Sequence, residues 1–155
     1  MSTTLREQIL AEIKTRLDTG SSGITGLNVD RDRQPMLEGT ELPHINITPK
    51  SEEAAPVNGQ RSAITVHHFE VMFEVRVLAT AAFSSIIEPV LSWIAKALQP
   101  ETAGRVDFAL GGLVDHIAPG KTEWKADDGS GAFAMAQRTY TFTYQTKTSN
   151  EEASS

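Results

Sequence analysis

The spacing of apolar residues near the start of the chain predicts an amphipathic helix. Large aliphatic residues recur every four positions, at Leu5, Ile9, Ile13 and Leu17, which places them in one stripe on a helix. Thr4 followed by Glu7 fits a capping box, and Gly20 marks the end of the helix.

Alternation of apolar and polar residues between positions 68 and 77 predicts a long strand. One set of side chains is apolar and is expected to face the core: Phe69, Val71, Phe73, Val75 and Val77. The intervening set, called the outer stripe below, comprises His68, Glu70, Met72, Glu74 and Arg76. Antiparallel sheets often leave one face in water. The stripe is therefore either plain surface or a subunit contact, for which its methionine and mixed charges are suited.

The remaining pattern completes an α+β domain. Short strands are predicted in "LNVDRD", "LPHINITP", "LVDHI" (Leu113 to Ile117) and "TEWKA", and a long one carries Tyr140, Phe142 and Tyr144 on one face. A second helix is predicted from the helical spacing between Phe83 and Leu98, and it either kinks at Pro89 or begins near Ser85. Residues Lys50 to Arg61 are predicted to be a loop or a long hairpin tip.

The elements together predict one domain over residues 1–148 and a disordered tail over 149–155. We expect a mostly antiparallel mixed sheet of four to five strands, with two main helices packed on one face.

Composition narrows the classes of function. The chain has 155 residues, of which 39% are hydrophobic and 22% charged, and it lacks cysteine, which excludes disulfides and a thiol nucleophile. Its net charge of −6 argues against nonspecific nucleic-acid binding as the main task, since that needs a basic face, and leaves only a local basic patch open. No apolar run in the sequence is long enough to span a bilayer.

The densest cluster of glycine, acid and histidine is "LGGLVDHIAPGKTEWKADDGSG", and it does not match a catalytic motif. Gly111-Gly112 lacks the spacing of a phosphate loop and is predicted to reverse the chain. Neighbouring Asp115 and His116 point apart on a strand, as do His67 and His68. Asp127-Asp128-Gly129 fits a hairpin turn. We expect no catalytic, metal or cofactor site, although residues distant in sequence could still form one.

Two arginines follow the first short strand in "DRDRQP". Arg31 and Arg33 would share a face if the strand continued that far. They are either a solvated strand end or an interface, since arginine is enriched at protein contacts.

The order of these segments resembles the tail-terminator (tail-completion, minor tail protein U-like) family of long-tailed bacteriophages. The opening helix is followed by "VDRDRQP", by "ELPHINITP", by "HHFEVMFEVRVLA" and by "IIEPVLSWIAKAL". The similarity is most specific in the Gly-Gly segment, the Thr-Glu-Trp, the acidic turn and the final "TFTYQT". It spans about residues 4 to 147. The chain departs from the family pattern in its polar insertion at Lys50 to Arg61 and in Pro89.

The resemblance implies a structural virion protein without catalysis or cofactor. Members of the family form a ring, usually a hexamer, that caps the tail tube, stops its polymerisation and offers a surface for head joining. The implied partners are further copies of the chain, the tail tube protein and a head-completion or connector protein. DNA is implied only in passage through the lumen. The net charge of −6 gives the separate hypothesis that an acidic wall would repel that DNA. No membrane is implied, and assembly would take place in the host cytoplasm. The alternatives are another head–tail connector or neck protein, or a small α+β enzyme or ligand-binding domain.

Overall fold

The chain folds around one mixed sheet. The computed structural model describes residues 4–19, 22–32, 42–56, 64–78, 82–99, 101–103, 106–126, 133–147 and 150–154. Within these, the helices are α1 (Leu5–Thr19) and α2 (Phe83–Ala97). The strands are β1 (Asn28–Arg31), β2 (His44–Pro56), β3 (Ile64–Leu78), β4 (Glu101–Ala103), β5 (Val106–Phe108), β6 (His116–Lys125), β7 (Phe133–Lys147) and β8 (Asn150–Ser154). A 3₁₀ turn spans Leu110–Gly112.

The main sheet has the order β1-β2-β3-β7-β6, with β8 beside the end of β7. β1 runs parallel to β2, and the other pairs of this sheet are antiparallel. β4 and β5 form a separate antiparallel pair. The predicted α+β class and the mostly antiparallel mixed sheet are confirmed.

The inner face of the sheet carries the core. Every predicted inward residue of β3 is at most 3% exposed, and Tyr140, Phe142 and Tyr144 of β7 are at most 4% exposed. The apolar stripes of α1 and α2 belong to the same cluster, so both helices pack on this face, as predicted. Trp93 of α2 joins the helices by donating its indole N–H to the carbonyl of Leu17 at 3.4 Å.

Helix α1 begins where the sequence predicted, with a modified cap. The Thr4 hydroxyl accepts a hydrogen bond from the Glu7 backbone N–H at 3.2 Å. The Glu7 carboxylate binds Arg31 instead. Of the predicted capping box, the bond to the Thr4 hydroxyl is therefore the half that is present.

Helix α2 begins at Phe83, where the helical spacing starts, and not near Ser85, and it continues through Pro89. Its N-cap is Ala82, without a side-chain cap, and Ser85 lies in the first turn with its hydroxyl donating to the Ala82 carbonyl at 2.9 Å. Pro89 removes one donor to the carbonyl four residues earlier. Because Ser85 and Pro89 are both on the exposed side, that carbonyl can bond to water.

The prediction of a loop from Lys50 was wrong. Residues 50–56 belong to β2, and residues 51–56 pair with the first half of β3, whose β-branched start the sequence prediction overlooks. The register shifts between Pro49 and Ser51, so Lys50 is an extra, bulged residue. Residues 57–61 of the predicted loop lie outside the described residues.

The Gly-Gly segment reverses the chain, as predicted. Gly111 and Gly112 have φ of 67° and 94°, values that glycine adopts without steric cost. The strand after them starts later than expected: Val114 forms an isolated bridge with Ala109, and β6 begins at His116. β6 and β7 form the expected hairpin, while its predicted turn, 127–129, lies outside the described residues.

The end of the chain differs from the predicted disordered tail. Residues 150–154 form β8, which pairs with Thr146 and Lys147 of β7. β6 pairs with β7 only as far as Thr143, so the last residues of β7 have a free edge on that side. β8 takes this position because it supplies the missing backbone partners.

Gly120 lies at a second bulge, in β6 between Pro119 and Thr122. A Cβ at this position would stand 2.6 Å from the Thr139 carbonyl oxygen. We expect Gly120→Ala to lower the free energy of unfolding by about 1–3 kcal/mol through overpacking. Urea denaturation measures this, with Thr122→Ala as control. Equal stability of Gly120→Ala and the wild type would show that the strands separate without cost.

Candidate functional surface

The outer stripe of β3 lies on the sheet face opposite the helices. The predicted alternation holds along the strand: His68 and Glu70 are exposed, and the other three members are partly buried by their neighbours. The stripe lies centrally, because β3 is flanked by β2 and β7. The structure thus brings all five predicted residues together in one row.

The stripe is bonded to both neighbouring strands. On one side, the Ser51 hydroxyl donates to Glu70 Oε2 at 3.0 Å. On the other, His68 Nδ1 and Thr143 Oγ1 are 3.2 Å apart, and Gln137 Nε2 donates to Glu74 Oε1 at 3.1 Å. These bonds hold the polar side chains in place, so the face is ordered for contact with another surface.

Glu74 and Arg76 form an ion pair within the stripe. Arg76 Nη1 donates to Glu74 Oε2 at 3.0 Å, and the two side chains are only 13% and 15% exposed. Neighbouring polar side chains shield the pair from water, which strengthens its attraction relative to an exposed pair.

A shallow groove crosses the middle of this face. It has a volume of about 220 Å³ and is lined by Met72, Gln137, Thr139, Lys50, Lys121 and Glu123. Met72 pairs with Thr139, and the two bulges at Lys50 and at Gly120–Lys121 lie on either side of this pair. Each bulge brings a lysine to the groove. Lys121 Nζ is 3.0 Å from Glu123 Oε1, and this hydrogen bond lowers the Glu123 pKa. The groove offers one methionine, Met72, among polar side chains and charges of both signs, which suits a protein surface.

Arg31 lies on the opposite side of the sheet. It pairs with Ile47 of β2, an inner-face position, and its guanidinium binds both Glu7 oxygens, at 2.7 and 2.8 Å. This bidentate bond lowers the Glu7 pKa and raises the Arg31 pKa. Arg31 therefore joins β1 to α1, and the structure does not bring it together with the outer stripe. Arg33 lies outside the described residues.

Breaking the Arg31–Glu7 pair is expected to have a small effect. Glu7 is 49% exposed, so a double-mutant cycle of Arg31→Ala and Glu7→Ala should give a coupling of about 0.2–1 kcal/mol. Because the Glu7 pKa is lowered from 4.5, the contribution is present above that value and lost as pH falls through the folded pKa. Unfolding by urea at several pH values measures it. A coupling that persists after Glu7 is protonated would show a contact other than the ion pair.

A buried polar cluster on the inner face was missed by the sequence prediction. Glu52 of β2 accepts hydrogen bonds from the Tyr144 hydroxyl and from Arg6 of α1. His67 stacks on Tyr144 with centroids 4.6 Å apart, its Nδ1 is 3.5 Å from Glu52 Oε1, and its Nε2 is 2.8 Å from Thr146 Oγ1. Burial and the bond to Glu52 raise the Tyr144 pKa.

This cluster has the residue types of an acid–base site without the access. Tyr144 is 1% exposed and His67 3%, so a substrate cannot reach them in this conformation. Its position between α1 and three strands indicates that it fixes the helix to the sheet. The bulge explains why the sequence prediction missed this cluster. The extra residue Lys50 moves Glu52 to the inner face, and the alternation pattern of the sequence does not show a bulge.

The part of the chain that the structure describes contains neither a cluster of metal-ligating side chains nor a helix that could span a membrane. No group of three metal-ligating side chains occurs among those residues, and none of their helices has the length and apolar character for a bilayer. His67 and His68 point to opposite faces, as predicted, with His67 buried and His68 exposed. His44 is bonded to Asp30, at 2.8 Å.

Comparison with known proteins gives a structural similarity. No protein-family model and no curated protein matches the chain. A chain from a solved structure described as "Virion of native gene transfer agent (GTA) particle" is similar with a TM-score of 0.47 and 14% identity, over 86% of this chain and 92% of that chain. At this identity and TM-score the similarity carries no functional argument, so a functional proposal depends on the surfaces described above.

Proposed function

We propose that this chain is a non-enzymatic structural protein of a phage virion, and that it forms the ring that ends the tail tube. The sequence resemblance to tail terminators suggested this role, and one structural observation carries it. The sheet is open, and its two long free edges lie on opposite sides of the domain. Among the described strands, none pairs with the outer edge of β6, and none pairs with β2 on its β1 side beyond Ile47.

Free edges at opposite ends favour a head-to-tail contact between copies. An exposed edge presents unpaired backbone N–H and C=O groups that another strand can satisfy. If β6 of one copy meets the β2 arm of the next, the contact joins two different surfaces, and such contacts generate a ring when the rotation closes. Pro49 and Pro56 on β2 and Pro119 on β6 cannot donate, so they limit the ladder and disfavour open-ended aggregation.

The outer stripe and its groove provide the second kind of surface that a ring subunit needs. A terminator must contact the tail tube protein on one side and a head-completion protein on the other. The ordered mixed charges around Met72 suit such a protein contact. In this proposal the protein is located in the tail of the virion, and DNA meets it only during passage.

Trp124 provides a direct test of the edge contact. It lies on β6 and is 49% exposed, and exposed aromatic residues at interfaces often carry much of the binding energy. We expect Trp124→Glu to weaken self-association at least about tenfold, while Lys96→Glu on the exposed side of α2 leaves it unchanged. Sedimentation over a range of concentrations measures both. A wild type that stays monomeric throughout would contradict the ring.

The functional test is a phage that lacks this protein. Electron microscopy should show overlong tails without heads, and supplying the wild-type chain should restore normal virions. Tails of normal length that fail only to join heads would instead favour a connector or neck protein. Normal virions would reject both structural roles.

A further inference from the structure

A second cavity lies on the inner side of the sheet, away from the groove. It occupies about 210 Å³ between the C-terminal end of α2 and strands β6 and β7. Its walls are mainly apolar, from Leu98, Ile117 and Pro119, and its polar lining comes from Gln99, Arg138 and Tyr140. Gln99 and Pro119 are exposed, so the cavity reaches the surface.

Arg138 is a charged residue in a row of core residues. The inner positions of β7 on either side of it are Ala136 and Tyr140, both buried. The guanidinium lies 5.1 Å from the centre of the Tyr140 ring, and this cation–π contact holds it at the cavity. Its Nε is buried and has no hydrogen-bond partner within the described chain. Nor does any carboxylate of those residues form an ion pair with it. Arg138 as a whole is partly exposed, so the buried part of its charged group is Nε, and buried charged groups in proteins are ordinarily paired.

Tyr140 adds a second unsatisfied donor to the same wall. It is 4% exposed, and its buried hydroxyl has no partner among the residues described. Burial raises the Tyr140 pKa, so the hydroxyl stays protonated near neutral pH and can donate. Buried polar groups without partners are rare in folded proteins, and each calls for an unseen partner.

We propose that this cavity binds a carboxylate carried on a short apolar stem. A guanidinium and a phenol donate to carboxylate oxygens in charge-assisted hydrogen bonds, and the apolar walls fit the stem. The volume is below the roughly 300 Å³ at which drug-sized pockets begin, so the occupant is the size of one amino-acid side chain. A dianionic phosphate fits less well, because the described lining offers a single cation among apolar walls. The site does not depend on the proposed tail role.

The test is an NMR titration of the full chain with 4-methylpentanoate, and with 4-methylpentanamide as the uncharged analogue of equal shape. We expect the acid to bind at least tenfold more tightly than the amide, with shifts at Ile117 and Tyr140. Arg138→Gln should weaken the acid at least tenfold, and it should keep the fold because no described carboxylate loses a partner. Lys121→Gln, on the other face, should leave the affinity unchanged.

Tyr140→Phe keeps the test decisive if Arg138→Gln fails to fold. This variant retains the ring and the guanidinium contact, and it should weaken the acid severalfold by removing one donor. Equal binding of acid and amide, or full affinity in both variants, would overturn the proposal, as would the absence of binding by the acid.

A second titration identifies the source of the carboxylate. The probe is the capped peptide acetyl-Ala-Leu-Glu-Leu-Ala-amide, whose only carboxylate is a side chain. Tighter binding of this peptide than of 4-methylpentanoate identifies an acidic side chain of another protein, whereas weaker binding identifies a free carboxylic acid. Failure of both probes to bind contradicts the proposed carboxylate site. It does not bear on the ring proposal, which the sedimentation experiment tests separately.

Discussion

Replacing Phe73 by alanine is expected to lower the free energy of unfolding by about 3–5 kcal/mol. Phe73 is fully buried at the centre of β3, between Ile47 of β2 and Arg138 of β7. Its ring also meets Tyr140 edge to face, with centroids 5.4 Å apart. The cavity left behind is bounded by two paired strands that cannot collapse into it. Because small domains are stable by only about 5–15 kcal/mol, the loss is a large share of the total.

Met72→Ala is the matched control, since it truncates the neighbouring residue on the outer face. Met72 is only partly buried, so we expect a loss below about 1 kcal/mol, within the range for substitutions away from the core. Urea unfolding of both variants under conditions that keep the protein monomeric measures the difference. Equal losses would mean that the outer face is covered in the isolated chain and would contradict its use as a contact surface.

Raising the pH above about 10 is expected to destabilise the fold by up to about 1.4 kcal/mol per pH unit for each tyrosine. The chain has two, Tyr140 and Tyr144, and burial raises the pKa of both. The unfolded chain releases its phenol protons near pH 10 while the folded chain keeps them. Stability is therefore fully present below the unfolded pKa and falls as pH rises above it.

The measurement is urea unfolding as a function of pH, together with the ultraviolet absorbance of tyrosinate. The native protein should show little tyrosinate at a pH where the protein in urea shows the full signal. Tyr144→Phe and Tyr140→Phe should each remove part of the slope, and the double variant should remove most of it. Tyrosinate that appears in the native protein near pH 10 would contradict the burial of these hydroxyls.

Much of the fold follows from the sequence because the central strands are strictly periodic. The alternation around Phe73 and the four-residue spacing around Ile9 each have one solution that buries the apolar residues. The sequence prediction fails where the local preference of a segment, such as a polar stretch that favours a loop, competes with the pairing of strands. Lys50 to Pro56 is polar enough for a loop, yet it is a strand because β3 provides a partner. Pro89 is accommodated within α2 because the carbonyl that loses its donor is on the exposed side of the helix.

The surfaces were only partly predictable for a related reason. The outer stripe followed from alternation alone, since His68 and Glu70 cannot share a face with Phe69. The Glu52–Tyr144 bond and the cavity at Arg138 depend on register across strands far apart in the chain. Two bulges shift that register, and a bulge leaves no mark in the sequence of a single strand.

The pairing of β3 with β7 also determines how the chain must fold. The two strands at the centre of the sheet are far apart in the sequence. Glu74 contacts Gln137, 63 positions later, and His68 contacts Thr143, 75 positions later. The local hairpins β2–β3 and β6–β7 can form early, but neither has a complete core until they dock. Closing so long a segment costs chain entropy before the contacts compensate for it, so folding should be slow for the size of the domain. A fragment cut between α2 and β6 would leave each half with the central ladder exposed.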